Sequence, residues 1–434
     1  MLPKILLGVG IFAAVFSVLI FSGKIPGIGP GEVKVTGSVV LWGTIPETQM
    51  NQMIQQFNLN AKTYRVDYTE VKEENFEQSL LVALANGTGP DLVMAPYQTL
   101  LAQSERIYPF PITSLGEKQF KDMYVDGASV FFGPEGALAL PVSIEPMVLF
   151  YNRTLFSKHG IVNPPEYWDE VVSNVPKLTI LNNNGQFIES GIALGAASTP
   201  YAKDILMVIV SQLGQSPVIS QPSSNGGVYM NVAANEPVTR GGDVYPLSSA
   251  LRYFIQFADP TQKTYSWNEY SGNAVDQFLA EKLAMYIGYS GELEVLRARN
   301  PRAEIEMTNL PQTRNLNTFA TGMKMYGIAT LKSSKNLTAA FTTQAQFAGG
   351  VVSPQIASML GAVPALRAYA ATPKLPAVIA RGMLVARGWQ DRFSGYSTTY
   401  TSSMISDVLN NRQGVTDAVN SFVARMQDLY TPLK

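Results

Sequence analysis

A single histidine, no cysteine, 33 acidic side chains, 20 tyrosines and 20 phenylalanines bound the chemistry open to this 434-residue chain. Without cysteine there is no disulfide, thiol catalysis, cysteine-ligated zinc, iron–sulfur cluster or cysteine-lipid anchor. With His159 alone, any mechanism that needs two histidines is excluded, the H-E-x-x-H metalloproteases among them. Two carboxylates flanking one bond could hydrolyse a glycoside. The acids suffice in number, but no motif singles out a pair. Side chains of these types can also hold a molecule without reacting with it. Planar carboxylates and amides make directional hydrogen bonds to hydroxyls, and aromatic faces cover apolar C–H surface. Low charge (15%) beside many aromatic rings suits a neutral, ring-containing solute. Lys+Arg 32 against Asp+Glu 33 argues against a nucleic-acid partner.

Such side chains need a scaffold, and its start is legible. Ser38 to Trp42 reads as a buried strand. Thr44-Ile45-Pro46-Glu47 reads as a T-x-x-E capping box, with Pro in the first turn. Met50, Met53, Ile54 and Phe57 then fall on one helical face. Tyr64, Val66 and Tyr68 alternate as a strand, Phe76 to Ala85 reads as a helix ended at Gly87, and Asp91 to Met94 as a third strand. This β-α-β-α-β order predicts a parallel sheet covered by helices. Ligands of such sheets sit beyond the carboxyl ends of the strands. That rule selects Gly43 to Glu47 and Ala95 to Gln98 (APYQ). Trp42 ends its strand and reads as core. Asp91 begins its strand, at the opposite end, and reads as structural. His159-Gly160 has the pattern of a cation in a helix's last turn followed by a left-handed glycine.

At roughly 100–200 residues per domain, the chain should hold two or three domains. A second α/β unit follows the first: a helix from Trp168, a strand at Gly191 to Leu194, an apolar helix at Ile205 to Leu213 and a strand at Leu283 to Ile287 (LAMYI). Pro217 to Pro246 reads as a long surface excursion, and Thr398 to Tyr430 as helices broken near Gly414. Before all of this, Ile5 to Gly23 is an uncharged run close to the roughly 20 residues that span a bilayer. Residues 5–23 are expected to meet the lipid bilayer as one transmembrane helix, with 24–35 as linker and the rest on the extracytoplasmic side. A cleaved signal followed by secretion is the alternative.

Four segments together resemble the extracellular solute-binding proteins of ATP-driven (ABC) importers, the family that includes maltose-binding protein. They are LVALANGTGPDLVMAP (81–96), ALPVSIEPMVLFYNRTLFSKHGIVNPPEYWDE (139–170), FLAEKLAMYIGYSGEL (278–293) and the tail from Tyr396 through NNRQGVTDAVNSFVARMQ. Each alone is weak, but all four occur in the family's order and spacing. The resemblance implies an α/β, two-lobed periplasmic-binding-protein fold of type II, each lobe a mostly parallel sheet with helices on both faces and ligand in the cleft. The lobes would be 36–144 plus 312–349, and 145–311 plus 351–434.

By the same resemblance, Glu145 matches an acid that contacts ligand, Tyr97 and Gln98 match the binding loop, and Thr44 lies where a helix cap can donate to ligand. Tyr289 and Ser290 stand on the turn where the family often places a stacking aromatic. Tyr396 resembles its late aromatic, with Tyr400 as fallback. Ser198 and Tyr201 follow GIALG. The implied function is capture of a small molecule, a carbohydrate first, and its delivery to an ABC transporter permease, without cofactor and without covalent chemistry. An exported carbohydrate hydrolase and a sensor ectodomain are the rival readings.

Overall fold

The computed structural model describes residues 36–61, 64–222, 228–239, 242–316 and 318–431. The expected membrane segment 5–23 and linker 24–35 lie outside the described residues. Among the described residues, no helix is long and apolar enough to cross a membrane.

The chain divides into two compact units. Unit 1 takes residues up to Glu145 and Lys324–Pro376; unit 2 takes Pro146–Met323 and Ala377–Lys434. The first crossing lies one residue from the expected 144/145. The other two fall at 323/324 and 376/377, whereas sequence reading places them near 311/312 and 350. The difference has a cause in unit 1: after its returning strand and helix, Val363–Pro364 pairs with Ser143 and Ile144, so the chain keeps packing there beyond Gly349.

The elements that matter for the site are, in chain order, β1 (Gly37–Gly43), α1 (Glu47–Asn60), β2 (Tyr64–Glu70), α2 (Phe76–Ala85), β3 (Leu92–Pro96) and α3 (Tyr97–Ala102). The long strand β4 (Leu140–Asn152) follows, then α4 (Trp168–Leu178), β5 (Phe187–Ile192) and α5 (Ala202–Gln212). Next come β6 (Val218–Pro222), β7 (Val228–Val232), α6 (Pro246–Ile255), α7 (Ala274–Leu279), β8 (Leu283–Tyr289), α8 (Glu292–Arg299) and β9 (Ile305–Asn309). The chain ends with β10 (Met323–Leu331), α9 (Leu337–Phe347), α10 (Ala377–Val385), α11 (Ser394–Leu409) and α12 (Val415–Tyr430).

In unit 1, β1 lies parallel to both β2 and β3, as the β-α-β-α-β pattern predicts. Val39, Leu41, Val66, Leu92 and Met94 are fully buried, and Met50, Met53 and Ile54 cover them from α1. β10 joins β3 antiparallel, with Tyr326 opposite Pro96. In unit 2, β8 and β9 flank β4 antiparallel, and β5 pairs with β8 parallel. The sheets are therefore mixed, and the expectation of mostly parallel lobes is corrected. Parallel pairing needs repeated βα crossovers; strands that meet β4 or β3 by other connections enter from the opposite end. Along β4, Met147 and Leu149 pack into one core layer while Val148 and Phe150 pack into another. That period of two, apolar on both sides, is the mark of a strand covered on both faces.

The stretch 217–246 is more than a surface excursion. β6 and β7 form a hairpin whose Val218 and Val232 are buried in the core of unit 2. The Gln427 side chain on α12 clips the hairpin, accepting from Val232 N at 2.9 Å and donating to Met230 O at 3.1 Å.

Candidate functional site

In unit 1 the residues chosen by the strand-end rule do gather. Gly43 ends β1 in register with Met94 of β3, so the segments after the two strands emerge side by side. Thr44 follows. It is not a helix cap: α1 starts at Glu47 with Pro46 as the capping residue and no side-chain cap bond. The orphan Glu47 N–H donates instead to Glu70 Oε2 at 2.9 Å, a carboxylate at a helix N-terminus supplied by the neighbouring strand. Thr44 is thereby released, and its hydroxyl pairs with that of Tyr326 at 2.9 Å.

Tyr326 was not foreseen. It lies at the start of β10, and because β10 runs antiparallel its start lies at the carboxyl edge of β3. Burial, with the charges of Glu73 and Glu145, pushes its hydroxyl up to about 12 against the lowering effect of Thr44. Glu145 itself is half-buried on β4, near enough for its charge to act on Tyr326. Tyr97 and Gln98 lie not on a loop but in the first turn of α3. Tyr97 is buried, and Gln98 is half-buried. Trp42, expected in the core, is half-exposed: β1 alternates, and Trp42 shares its phase with Val40 rather than with buried Leu41.

Unit 2 has a second cluster, built on the last residue of β8. Tyr289 is in the strand rather than on the turn after it, and is 2% exposed. Its hydroxyl pairs with Asp204 Oδ2 at 2.9 Å, and its ring meets that of Tyr201 edge-to-face, centroids 4.9 Å apart. Tyr201 precedes α5 with φ 57°, in the left-handed region. Its hydroxyl donates to Glu292 Oε1 at 3.0 Å. The same carboxylate accepts from Tyr289 N at 2.8 Å and from the Tyr286 hydroxyl at 2.7 Å. Burial and then the Glu292 charge push the Tyr286 hydroxyl well above the usual tyrosine range. Ser290 is buried, its N–H on Pro146 O at 3.0 Å.

Beneath α5, Lys203 and Asp391 form a buried ion pair at 2.6 Å. Ser394 and Ser397 complete it: Lys203 Nζ donates to Ser394 Oγ at 2.9 Å, and the Ser397 hydroxyl donates to Asp391 Oδ1 at 2.9 Å. Two expected residues stand apart from these contacts. Ser198 is exposed, and Tyr396 is 57% exposed on α11, its ring 6.0 Å from that of Tyr400.

The residues read as structural behave so. Asp91 accepts from Val40 N at 2.9 Å and from Ser334 Oγ at 2.6 Å, tying the start of β3 to its neighbours. His159 caps the helix Arg153–Lys158, is followed by Gly160 at φ 69°, and places Nε2 2.7 Å from Glu189. Among the described residues, no group of three or more His, Asp or Glu could hold a metal ion.

The profile of the bacterial extracellular solute-binding proteins matches residues 43–345. The chain belongs to this family. A binding protein of Brucella abortus (strain 2308) is 24% identical to this solute-binding protein over 186 residues, 41% of this chain and 44% of that one. The match thus spans under half the length of the curated relatives. Solved structures are similar over far more of the chain. A cyclo/maltodextrin-binding protein complexed with maltotetraose is 17% identical, with TM-score 0.71, covering 92% of this chain and 98% of that one. A cyclic α-maltosyl-1,6-maltose binding protein of Arthrobacter globiformis is 16% identical, with TM-score 0.72, covering 91% and 98%. At these identities the likeness establishes the fold, which is the two-unit α/β architecture of solute-binding proteins.

In this solute-binding protein, sequence reasoning missed Tyr326, Asp204, Glu292 and the Lys203–Asp391 pair. Tyr326 and Asp391 lie 282 and 188 residues from their partners, so no local pattern announces them. Glu292 did carry a signal: an acid at the first position of α8, three residues after Tyr289, where its carboxylate can reach back to a backbone N–H.

Proposed function

We propose that this protein captures a neutral carbohydrate outside the cytoplasm and releases it unchanged to an ABC transporter permease, held at the membrane by residues 5–23. The reading rests on one observation above others: each unit carries a group of tyrosine hydroxyls and carboxylates beside a strand end, Gly43 of β1 in unit 1 and Tyr289 of β8 in unit 2, and α/β sheets bind ligands beyond strand ends. Thr44, Glu145 and Tyr326 form the first cluster, and Gln98 in the first turn of α3 is proposed as a ligand contact of the same unit. Tyr201, Tyr289 and Ser290 belong to the second, and Tyr97, Ser198 and Tyr396 are proposed as ligand contacts outside the two clusters. The family supports extracellular solute binding. Similar structures whose names record maltotetraose and cyclic maltosyl-maltose support a sugar.

A melting screen tests the reading. Oligosaccharides, maltotetraose included, are offered beside polyamines and peptides. At a hundredfold excess over Kd, a ligand adds about 2.7 kcal/mol of stability. Micromolar affinity, about −8 kcal/mol, is expected for the sugar. Stabilisation by a polyamine or peptide but by no sugar overturns the carbohydrate assignment. Sugar recovered intact after incubation supports binding; shortened products support the hydrolase alternative.

A further inference from the structure

We propose that Glu292 is a positioning residue: it fixes the Tyr201 ring as the aromatic surface that unit 2 presents to the sugar. The proposal rests on the reading of Tyr201 as a ligand contact. Tyr201 is an awkward residue to hold. Its φ of 57° is one that a bulky side chain seldom adopts, and no side-chain cap bond steadies it at the start of α5. A backbone in that region persists only where its surroundings over-determine it. Here they do so on two sides, through the Glu292 carboxylate on its hydroxyl at 3.0 Å and the Tyr289 ring at 4.9 Å.

Glu292 is placed to act through the protein rather than on a ligand. An ionised carboxylate has about four acceptor sites. Three are taken by Tyr201, Tyr286 and the Tyr289 N–H. Its own backbone is anchored in the first turn of α8, whose Leu293 and Leu296 are buried. The strand beside it is shaped to admit it: a Cβ on Gly288 would stand 2.9 Å from both carboxylate oxygens. Tyr201 remains half-buried, so part of the residue meets solvent. A ring fixed at its hydroxyl and its edge is the kind of surface that packs against the apolar C–H side of a sugar at little entropic cost.

The test uses Glu292→Gln, Tyr201→Phe and the double variant, each first shown to melt cooperatively. Calorimetry with maltotetraose should find each single variant weaker by about tenfold, the worth of one hydrogen bond to a charged group. The double variant should be no weaker than the worse single one, because both break the same link. Losses that multiply overturn the proposal, as does full affinity in Glu292→Gln. A second readout needs no ligand. In protein labelled on its tyrosine rings, the Tyr201 signal, assigned by its loss in Tyr201→Phe, should shift or broaden in Glu292→Gln. An unmoved Tyr201 signal overturns the positioning role even if Glu292→Gln melts lower. A wild-type chain that ignores maltotetraose while its Tyr201 signal responds to Glu292→Gln upholds the positioning and strikes the choice of sugar.

Discussion

The clusters of the two units use the same residue types in opposite ways. In unit 1 a hydroxyl pair, Thr44 with Tyr326, lies within reach of the charge of the half-buried Glu145 carboxylate. In unit 2 the carboxylates of Asp204 and Glu292 are turned inward, onto tyrosine hydroxyls, and the rings are what they leave in place. Sugar recognition needs both polar pairing and ring contact. On the proposed carbohydrate reading, unit 1 would supply polar pairing and unit 2 ring contact. The contrast also places the structural cost differently. Unit 2 carries a part-buried polar network and, on the same helix α5, a buried ion pair, and such networks are costly to leave partly satisfied.

The comparison can be broken at several points. The largest effect is expected at Asp391, which is 0% exposed. Asp391→Ala would strand Lys203 inside unit 2 and should lower unfolding stability by about 3–5 kcal/mol. A urea midpoint equal to wild type would mean that the pair does not support the tyrosine cluster. Next comes Gly288→Ala, whose methyl must displace Glu292 and the Tyr286 ring, the latter 2.8 Å away. Overpacking of this kind costs about 1–3 kcal/mol, and a thermal melt reads it. Glu145→Ala should act differently, weakening calorimetric affinity for the bound sugar by about 1–3 kcal/mol through lost charged hydrogen bonds. The melt without ligand should hardly move; a large drop would make Glu145 structural and erase the contrast between units. Tyr326→Phe loses one hydroxyl contact, worth about 0.5–1.5 kcal/mol, and should show in affinity before stability. Lys118→Ala is the control. Lys118 pairs with Asp122 one turn along a solvent-exposed helix, so water already screens the pair, and neither melting nor binding should change.

Much of unit 1 was legible because its elements follow one another along the chain with helical and strand periods intact. α2 has the bounds read from sequence, and β1 differs from them by a residue at each end. Gly87 takes the left-handed turn expected of it, at φ 69°. The capping box at Thr44 was misread because two acceptors competed for the same N–H. Glu70, brought alongside by parallel pairing, won over the local threonine. Asn152 and Asn336, which match a glycosylation pattern in sequence, are instead helix caps, accepting from Leu155 N at 2.9 Å and Ala339 N at 3.4 Å. Tyr289 and Ser290 were placed on a turn because the hydrophobic run ends near Ile287. The strand runs two residues further, and pairing of Tyr289 with Met147 carries the ring into the core.

Composition and periodicity alone determined that the chain is an α/β protein without thiol, disulfide or two-histidine chemistry, and they selected the strand ends at which to look for ligand groups. Local spacing can do this because helix and strand periods act over a few residues. Only the tertiary structure decided which distant groups meet: Thr44 with Tyr326, Lys203 with Asp391, and Tyr201 with Glu292. Those pairings depend on strand direction and on chain segments returning from elsewhere, and neither is encoded in the spacing of neighbouring residues.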